Sequence, residues 1–462
     1  MKKFGIFTLF GALLCSVAFS LTSCKPKVTL KEEGAELITI YLRDFEVWSN
    51  DHFIDAIEEF NEDLTDGIEI QYKIFDNSAI GTAIAAAQQA GDNLDIYLVS
   101  YSNLFEQVNT ESIVPVEDYV DESFLDDYTD AARSATTLYD KVYAIPYCFE
   151  ASQLLFYSKS MFQQAGITKE PTTYQEMLDC CDKLSKVIDF TQTVVGTAIG
   201  VPMGWANLGQ FWNAANGRYP ISDDWSESLV GTVNRVGYAQ FLNYYTQLYR
   251  KDYASRVDSA GGYNEIIGEL CEGRVAMTYA GSYAIGQIYN EYIEQGVIDN
   301  ADDIGLCYGP KLHQDQSSTF VGGWSFVLNA GCADKDCTAE KALGKKRGEL
   351  AAQFLDWYVR GEQGQAWFEL GRCCKQTGFK SMQQKLDVSQ LNNPYYEILK
   401  EASNTAPDIN CYPYQITQKL ANMIVGMMLP TSQATADDVI NEAHTEIEQI
   451  ITQYKLAGKN PR

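Results

Sequence analysis

The fold is decided by residues 36–99, which read ELITIYLRDFEVWSNDHFIDAIEEFNEDLTDGIEIQYKIFDNSAIGTAIAAAQQAGDNLDIYLV. Runs rich in apolar and β-branched residues predict strands, and apolar residues at helical spacing predict helices. The predicted order is strand, helix, strand, helix, strand, over residues 36–41, 51–60, 67–74, 79–89 and 94–99. This order is typical of a parallel sheet with helices on its faces, which binds ligands beyond the carboxyl ends of its strands.

The amino-terminal segment predicts export and a lipid anchor. Two lysines precede an apolar run over residues 4–19 that is too short to span a bilayer comfortably. The sequence Leu21-Thr22-Ser23-Cys24 then resembles the bacterial lipobox. We therefore expect residues 1–23 to be a signal peptide and residues 24–35 to be a tether, with lipid on Cys24. The protein would stand on the periplasmic or extracellular face of the cell envelope. Ordinary secretion with a free Cys24 is the alternative.

Composition excludes some classes of partner. The chain of 462 residues has 62 Asp and Glu against 35 Lys and Arg, a formal net charge of -27. Such a chain repels nucleic acid and anionic membrane surfaces, and no basic cluster that could follow phosphates is present. The length exceeds one ordinary core and predicts two domains.

The twelve cysteines do not define a metal or disulfide pattern. Cys332 and Cys337 are spaced to close a small loop, whereas the adjacent pairs Cys180-Cys181 and Cys373-Cys374 are poorly spaced to bridge internally. No Cys-x-x-Cys occurs, and only three histidines are present. We expect reduced, buried cysteines that pack as small apolar side chains, and neither a metal nor another cofactor.

A series of short motifs resembles a known family. Residues 139–147 read YDKVYAIPY, residues 171–177 read PTTYQEM and residues 322–324 read GGW. With the further segments they resemble, in the same order, the family 1 extracellular solute-binding proteins of bacterial ABC importers. The further segments are residues 91–96, 113–118, 154–167, 269–283 and 352–371. Leu94 replaces the proline of the family pattern, and Tyr174 and Tyr283 stand where the family has tryptophan. The likeness spans about 40 to 455.

This resemblance implies an α/β fold with two lobes, the periplasmic binding protein type II fold. Each lobe would hold a mixed sheet flanked by helices, and crossovers between the lobes would act as a hinge around a ligand cleft. The implied first lobe covers 36–147 and 309–371, the second covers 148–308 and 372–455, and 456–462 is a tail. The implied partner is a membrane permease that receives the ligand from a monomeric binding protein.

The aromatic residues predict that the ligand is a sugar, because a pyranose ring stacks its apolar face on an aromatic side chain. Trp324 follows Gly322-Gly323, which lets the backbone approach closely, and Tyr283 follows Gly281-Ser282. The alternatives are a turn into a buried strand at Trp324 and a helix cap at Ser282. The other aromatic candidates lie in a segment punctuated by glycine and have core packing as their alternative: Trp205 and Trp212.

Polar ligand partners are expected at the ends of strands and near the hinge. The candidates are Asp44 and Trp48 after the first strand, Asp95 and Tyr101 beside the third, Glu150 past the hinge, and Arg372. Three of these have a structural alternative. Asp95 could cap backbone amides, Glu150 could pair with a lysine, and Arg372 could bind one of the carboxylates instead of a ligand.

Two other functions remain open at this point. The same cleft could bind a polyamine or a peptide, since carboxylates and aromatic rings also suit cations. An exported glycosidase would use two carboxylates. We find no paired-carboxylate motif, no Gly-x-Ser-x-Gly, no His-Glu-x-x-His and no phosphate-binding glycine loop, and we therefore expect a binding protein and no enzyme.

Overall fold

The computed structural model describes residues 33–63, 67–76, 79–188, 193–196, 207–254, 263–391, 393–405, 413–428, 432–456 and 458. The predicted signal peptide with Cys24 and the candidate Trp205 lie outside the described residues. No helix in these ranges has the length and apolar character needed to cross a bilayer.

The strands form two main sheets. They are β1 Glu36–Arg43, β2 Ile68–Phe75, β3 Ile96–Ser100, β4 Thr137–Leu138, β5 Lys141–Val142, β6 Ile145–Ser152, β7 Leu154–Ser158, β8 Thr193–Gly196, β9 Val275–Ala280, β10 Ile304–Tyr308 and β11 Phe320–Leu328. The first sheet has the order β2-β1-β3-β11-β6 and the second the order β10-β7-β9-β8. Strand β1 is parallel to β2 and β3, as the alternation over residues 36–99 predicts.

Helices cover both sheets. They are α1 Val47–Asp63, α2 Ile80–Ala90, α3 Tyr101–Asn109, α4 Glu122–Asp126, α5 Asp130–Thr136, α6 Lys159–Gln164, α7 Tyr174–Leu184, α8 Leu208–Ala214, α9 Arg235–Arg250, α10 Tyr263–Cys271, α11 Tyr283–Gln287, α12 Ala330–Ala333, α13 Arg347–Arg360, α14 Glu362–Leu370, α15 Lys380–Lys385, α16 Tyr396–Thr405, α17 Tyr414–Met428 and α18 Ala436–Gln453. A π-helical segment, Ile288–Ile293, continues α11. We call each sheet with the helices packed on it a lobe.

The chain passes from the first sheet to the second through a single residue and returns through a longer segment. Strand β6 ends at Ser152 in the first sheet and β7 begins at Leu154 in the second, so Gln153, with φ 53°, makes the first crossover alone. Residues 309–319 make the second crossover, between β10 and β11. The lobe boundary expected at residues 147 and 148 therefore falls inside β6.

The return after α14 also differs from the expected boundary at residue 371. Phe379 packs edge-on against Tyr128 at 5.3 Å between ring centroids, and Met382 is buried in the same cluster as the first sheet. Residues between 372 and 391 thus remain in part on the first lobe. The chain then joins the second-lobe cluster through Tyr395, Leu399 and Ala402.

The cysteines within the described ranges are free thiols, and all but Cys307 are buried. The loop between Cys332 and Cys337 is not closed by a disulfide, and both side chains pack in the interior. Burial raises the pKa of Cys374 to about 12, which keeps this thiol protonated.

Candidate functional site

An aromatic ring and a cation meet at the carboxyl edge of the first sheet. Strand β1 ends at Arg43 and β3 at Ser100, and Trp324 of β11 pairs with Ser100. The guanidinium carbon of Arg43 lies 4.5 Å from the ring centroid of the half-buried Trp324. Phe45 meets the same ring edge-on at 5.3 Å. This edge is where parallel sheets present side chains to ligands.

The glycine before Trp324 is needed for strand packing. Gly323 has φ 144°, and a Cβ built there would lie 2.0 Å from the carbonyl oxygen of Cys148 in β6. Gly323 is therefore fixed by the close approach of β11 to β6, and it sets the position of Trp324 through the backbone.

Three buried charges lie beside Trp324. The Lys375 Nζ is 2.8 Å from Glu46 Oε2 and 3.9 Å from Glu150 Oε2. Burial raises the pKa of the Glu150 carboxyl, although the ammonium of Lys375 opposes this. The Trp324 side chain lies close enough to Glu150 to lower the pKa of its carboxyl slightly. Burial alone would lower the pKa of Lys375, but Glu46 and Glu150 raise it above its ordinary value, so Lys375 stays charged.

The second lobe reaches this cluster through the start of α11. The Ser282 backbone N–H donates to the Ala151 carbonyl at 2.7 Å, and Ser282 Oγ accepts from the Ala151 N–H at 3.2 Å. Ser282 stands at the amino cap of α11 but makes no side-chain cap bond to that helix, because its hydroxyl is engaged by β6. Burial raises the pKa of the adjacent Tyr283, and the charges of Glu150 and Glu46 raise it further.

Trp48 joins the two lobes. A Cβ at Gly286 of α11 would lie 2.8 Å from the Trp48 ring, and a Cβ at Gly371 after α14 would lie 2.6 Å from it. The Val47 N–H at the start of α1 donates to Glu291 Oε1 of the π-helical segment at 3.1 Å. Trp48, expected to contact ligand, is thus buried in the contact between the lobes.

Four further candidates have other partners. Asp44 is exposed and accepts a hydrogen bond from Asn50 Nδ2 at 2.5 Å. Tyr101 is buried and stacks on Phe149 at 4.7 Å. Trp212 is half-buried and packs on Tyr219 at 4.7 Å. Arg372 lies 4.1 Å from the Tyr289 ring centroid and donates to the Leu391 carbonyl at 2.7 Å, so it binds neither Glu46 nor Glu150.

Asp95 lies at the opposite edge of the first sheet. It precedes β3, and the guanidinium of Arg347 binds both its carboxylate oxygens, each at 2.7 Å. The Thr39 N–H also donates to Asp95 at 2.8 Å, and Arg347 pairs with Glu36 as well. Asp95 is therefore a buried structural anion at the amino ends of the strands, away from Trp324, and we do not assign it to the site.

Sequence reasoning missed three residues of this cluster. Arg43 ends β1 and Glu46 follows it, so both lie in the same stretch as the candidates Asp44 and Trp48 without having been named as candidates. Lys375 has no local signal, because its partner Glu46 lies 329 residues away. The pairing of Glu150 with a lysine was one of the stated alternatives.

The cluster can bind a ligand through hydrogen bonds and ring contact. In the described ranges, no three side chains of His, Cys, Asp or Glu gather as metal ligands do. Arg43 and Trp324 are half-buried and can still meet a small molecule. The carboxylates of Glu46 and Glu150 are held by Lys375.

Comparison with known proteins identifies the family and the fold. The model of the bacterial extracellular solute-binding protein family matches residues 49–365. A solute-binding protein of an ABC transporter from Thermotoga lettingae TMO, solved with α-D-tagatose, superposes with a TM-score of 0.72 at 19% identity, covering 90% of this chain and all 100% of that one. A receptor from Streptomyces glaucescens GLA.O, solved without ligand and with acarbose, gives a TM-score of 0.71 at 14% identity over 92% of this chain and 98% of that one.

These similarities confirm the predicted two-lobed α/β fold. One stretch of 177 residues is 21% identical to a protein of Brucella abortus (strain 2308) that is named only as a binding protein. The match covers 38% of this chain and 40% of the relative's length. The family model covers most of the chain, from the start of α1 into α14. The chain therefore belongs to the bacterial extracellular solute-binding protein family.

Proposed function

We propose that this protein captures a sugar or oligosaccharide between its lobes and delivers it to an ABC permease. The observation that carries the proposal is the meeting, at Trp324, of an aromatic ring with hydrogen-bonding groups from both lobes. Arg43 and Glu150 belong to the first sheet. Ser282 and Tyr283 come from the start of α11 in the second lobe, where Ser282 bonds to Ala151 beside Glu150. A sugar needs an apolar face to stack on and converging polar groups for its hydroxyls. The tagatose and acarbose bound by the two solved relatives support the same ligand class.

The ligand class is tested by calorimetry and thermal shift with purified protein. The panel contains D-tagatose, maltose, maltotriose and acarbose, set against spermidine, arginine and trialanine. A true ligand raises the melting temperature by mass action, so a sugar should stabilise the protein in proportion to its concentration. Stabilisation by spermidine or trialanine alone would replace the sugar with a cationic or peptide ligand.

Variants of Trp324 test the site itself. Trp324→Ala should raise the Kd for the bound sugar about tenfold or more, because the stacking surface is lost. Trp324→Phe keeps a ring but loses the indole N–H and part of the stacking surface, so its Kd should lie between the wild-type and alanine values. Trp357→Phe is the matched control, because Trp357 of α13 packs against Phe60 of α1 and not against the cluster at Trp324. A normal Kd for Trp324→Ala would remove Trp324 from the site.

The glycosidase alternative predicts turnover. Glu46 and Glu150 are the two carboxylates of this region, and Lys375 pairs with both. Maltotriose incubated with the protein should be recovered intact, as judged by chromatography of the reducing sugars. Release of maltose or glucose, lost in Glu150→Gln, would show an enzyme.

We also propose that the chain is a lipoprotein anchored through Cys24 in the cell envelope. The support is the Leu21-Thr22-Ser23-Cys24 sequence after an apolar segment. Cells fed a labelled fatty acid should incorporate label into the wild-type chain and not into Cys24→Ser. The variant should leave the membrane fraction; its retention there with unchanged labelling would refute the anchor.

A further inference from the structure

Helix α8 carries two buried amide side chains, one with hydrogen-bond partners and one without them among the described residues. Asn213 is fully bonded: its Nδ2 donates to the carbonyls of His313 and Gln316 at 2.7 Å and 3.0 Å. Its Oδ1 accepts from the N–H groups of Leu312 and His313 at 2.7 Å and 3.2 Å. Asn213 therefore holds the second crossover, residues 309–319, against α8.

Gln210, on the preceding turn of α8, is buried without such bonds. Its side chain is 2% exposed, and neither Nε2 nor Oε1 has a hydrogen-bond partner among the described residues. Buried amides are normally paired, since an unpaired one loses its hydration without replacement. A buried amide that finds no partner within the described chain can be satisfied by a partner from outside it.

Gln210 lies at the hinge-facing edge of the second sheet. A Cβ at Gly309, directly after β10, would lie 2.8 Å from Gln210 Nε2 and 3.3 Å from the ring of Tyr279 near the end of β9. The same point is 3.6 Å from the carbonyl oxygen of Gln153, the first crossover residue. The amide of Gln210 is thus placed where both crossovers meet the ends of β9 and β10.

Two more polar atoms around the crossovers share this property. Gln153 Oε1 and Thr319 Oγ1 are buried without partners among the described residues. Gln153 is oriented by its Nε2, which donates to Asn207 Oδ1 at 2.5 Å. Thr319 precedes β11 and its backbone touches α8, since a Cβ at Gly209 would lie 2.6 Å from the Thr319 carbonyl carbon.

We propose that Gln210, Gln153 and Thr319 form a second-lobe subsite that binds hydroxyl groups of the ligand. An amide offers both a donor and an acceptor, as a sugar hydroxyl requires, and none of the three groups is charged. Two of the connections between the lobes are Gln153 and residues 309–319, so a change in the separation of the lobes would change the packing around these atoms and could admit a ligand. This inference rests on the proposed sugar-binding function and assigns its polar contacts in the second lobe.

The test compares affinity with stability in the same variants. Gln210→Met and Thr319→Val remove the polar atoms and keep a side chain of similar shape. The probe is the sugar of the panel above that binds the wild-type protein. The Kd should rise about tenfold or more, as when a site loses a hydrogen bond to a substrate hydroxyl. The melting temperature without ligand should stay constant or rise by about 2 °C, because an unpaired buried group is gone.

Two controls separate this role from a structural one. Gln247→Met changes a glutamine on α9 whose amide bonds only locally, at 3.4 Å to the Asn243 carbonyl, and should leave both the Kd and the melting temperature unchanged. Asn213→Leu should lower the melting temperature, because four hydrogen bonds are lost. If the wild type binds a sugar and both Gln210→Met and Thr319→Val bind it with unchanged affinity, the subsite is overturned and the proposed function is not. Absence of sugar binding by the wild type would overturn the proposed function and this inference with it.

Discussion

At the scale of single residues, backbone sterics and buried charge set the position of Trp324. Gly323 brings β11 against β6, and Lys375 supplies the cation shared by Glu46 and Glu150. Neither residue needs to touch a ligand for its loss to disturb the site.

Gly323→Ala should destabilise the protein by about 2 kcal/mol or more, because φ is 144° and the new methyl group would meet the Cys148 carbonyl. The midpoint of urea unfolding measures this loss. Gly81→Ala is the matched control on α2, where a Cβ meets nothing within 4 Å. It should leave stability unchanged or raise it by up to about 1 kcal/mol. Equal midpoints for the two variants would contradict the steric argument.

Lys375→Met should destabilise the protein by about 3 to 5 kcal/mol at neutral pH, because two buried carboxylates lose their shared cation. Burial already raises the pKa of Glu150, and loss of Lys375 raises it further. A carboxyl whose pKa is raised on folding destabilises the folded protein as the pH rises above the ordinary carboxyl pKa of 4.5. The stability difference between Lys375→Met and the wild type should therefore shrink as the pH falls towards 4.5.

Urea titrations at several pH values follow this deficit. The exposed Lys186→Met serves as the control and should match the wild type throughout. A deficit that does not change with pH would show that Lys375 acts by packing alone.

At the scale of elements, α1 is held at its start by the other lobe. Glu291 of the π-helical segment accepts a hydrogen bond from the backbone N–H group of Val47 at 3.1 Å. Asn290 Nδ2 donates to the Leu370 carbonyl at the end of α14, at 2.9 Å. Free N–H groups at a helix start favour an anion, so this contact stabilises the arrangement in which the lobes touch.

Glu291→Ala should weaken sugar binding about fivefold, because a cap is worth about 1 kcal/mol and the contact exists only with the lobes together. Calorimetry measures the Kd. Small-angle scattering without ligand should show a larger mean radius of gyration for the variant than for the wild type. Glu294→Ala changes the exposed residue directly after this segment and is the control. If both variants bind as the wild type does, the cap does not bias lobe closure.

The sequence predicted the positions of the strands better than the tertiary contacts of individual side chains. The strands expected at 36–41, 67–74 and 94–99 are found as Glu36–Arg43, Ile68–Phe75 and Ile96–Ser100, because alternation and apolar runs are local signals. Asp95 stands at the start of the strand predicted at 94–99, and in the structure it precedes Ile96–Ser100, so it lies at the amino edge of the sheet and not at the carboxyl edge where such sheets bind ligands. The pairing of Lys375 with Glu46, and the contact of Trp48 with Gly286, depend on tertiary packing that no local pattern encodes.

At the scale of the whole molecule, charge separates the possible ligand classes. The net charge of -27 attracts cations to the surface from a distance, whereas the described cluster at Trp324 sets Glu46 and Glu150 against Lys375 and Arg43. A neutral sugar gains nothing from the surface charge, but a polyamine would.

The salt dependence of affinity should therefore identify the class. Between about 50 mM and about 500 mM NaCl, the Kd of a neutral sugar should change less than about twofold, since no long-range attraction is there to screen. Over the same range a polyamine should bind about tenfold more weakly or worse. Calorimetry with the sugar and with spermidine, at matched osmolality, makes the comparison. A sugar Kd as salt-dependent as that of spermidine would mean that a charged group of the ligand carries the recognition, and the balanced cluster at Trp324 would then not be its binding site.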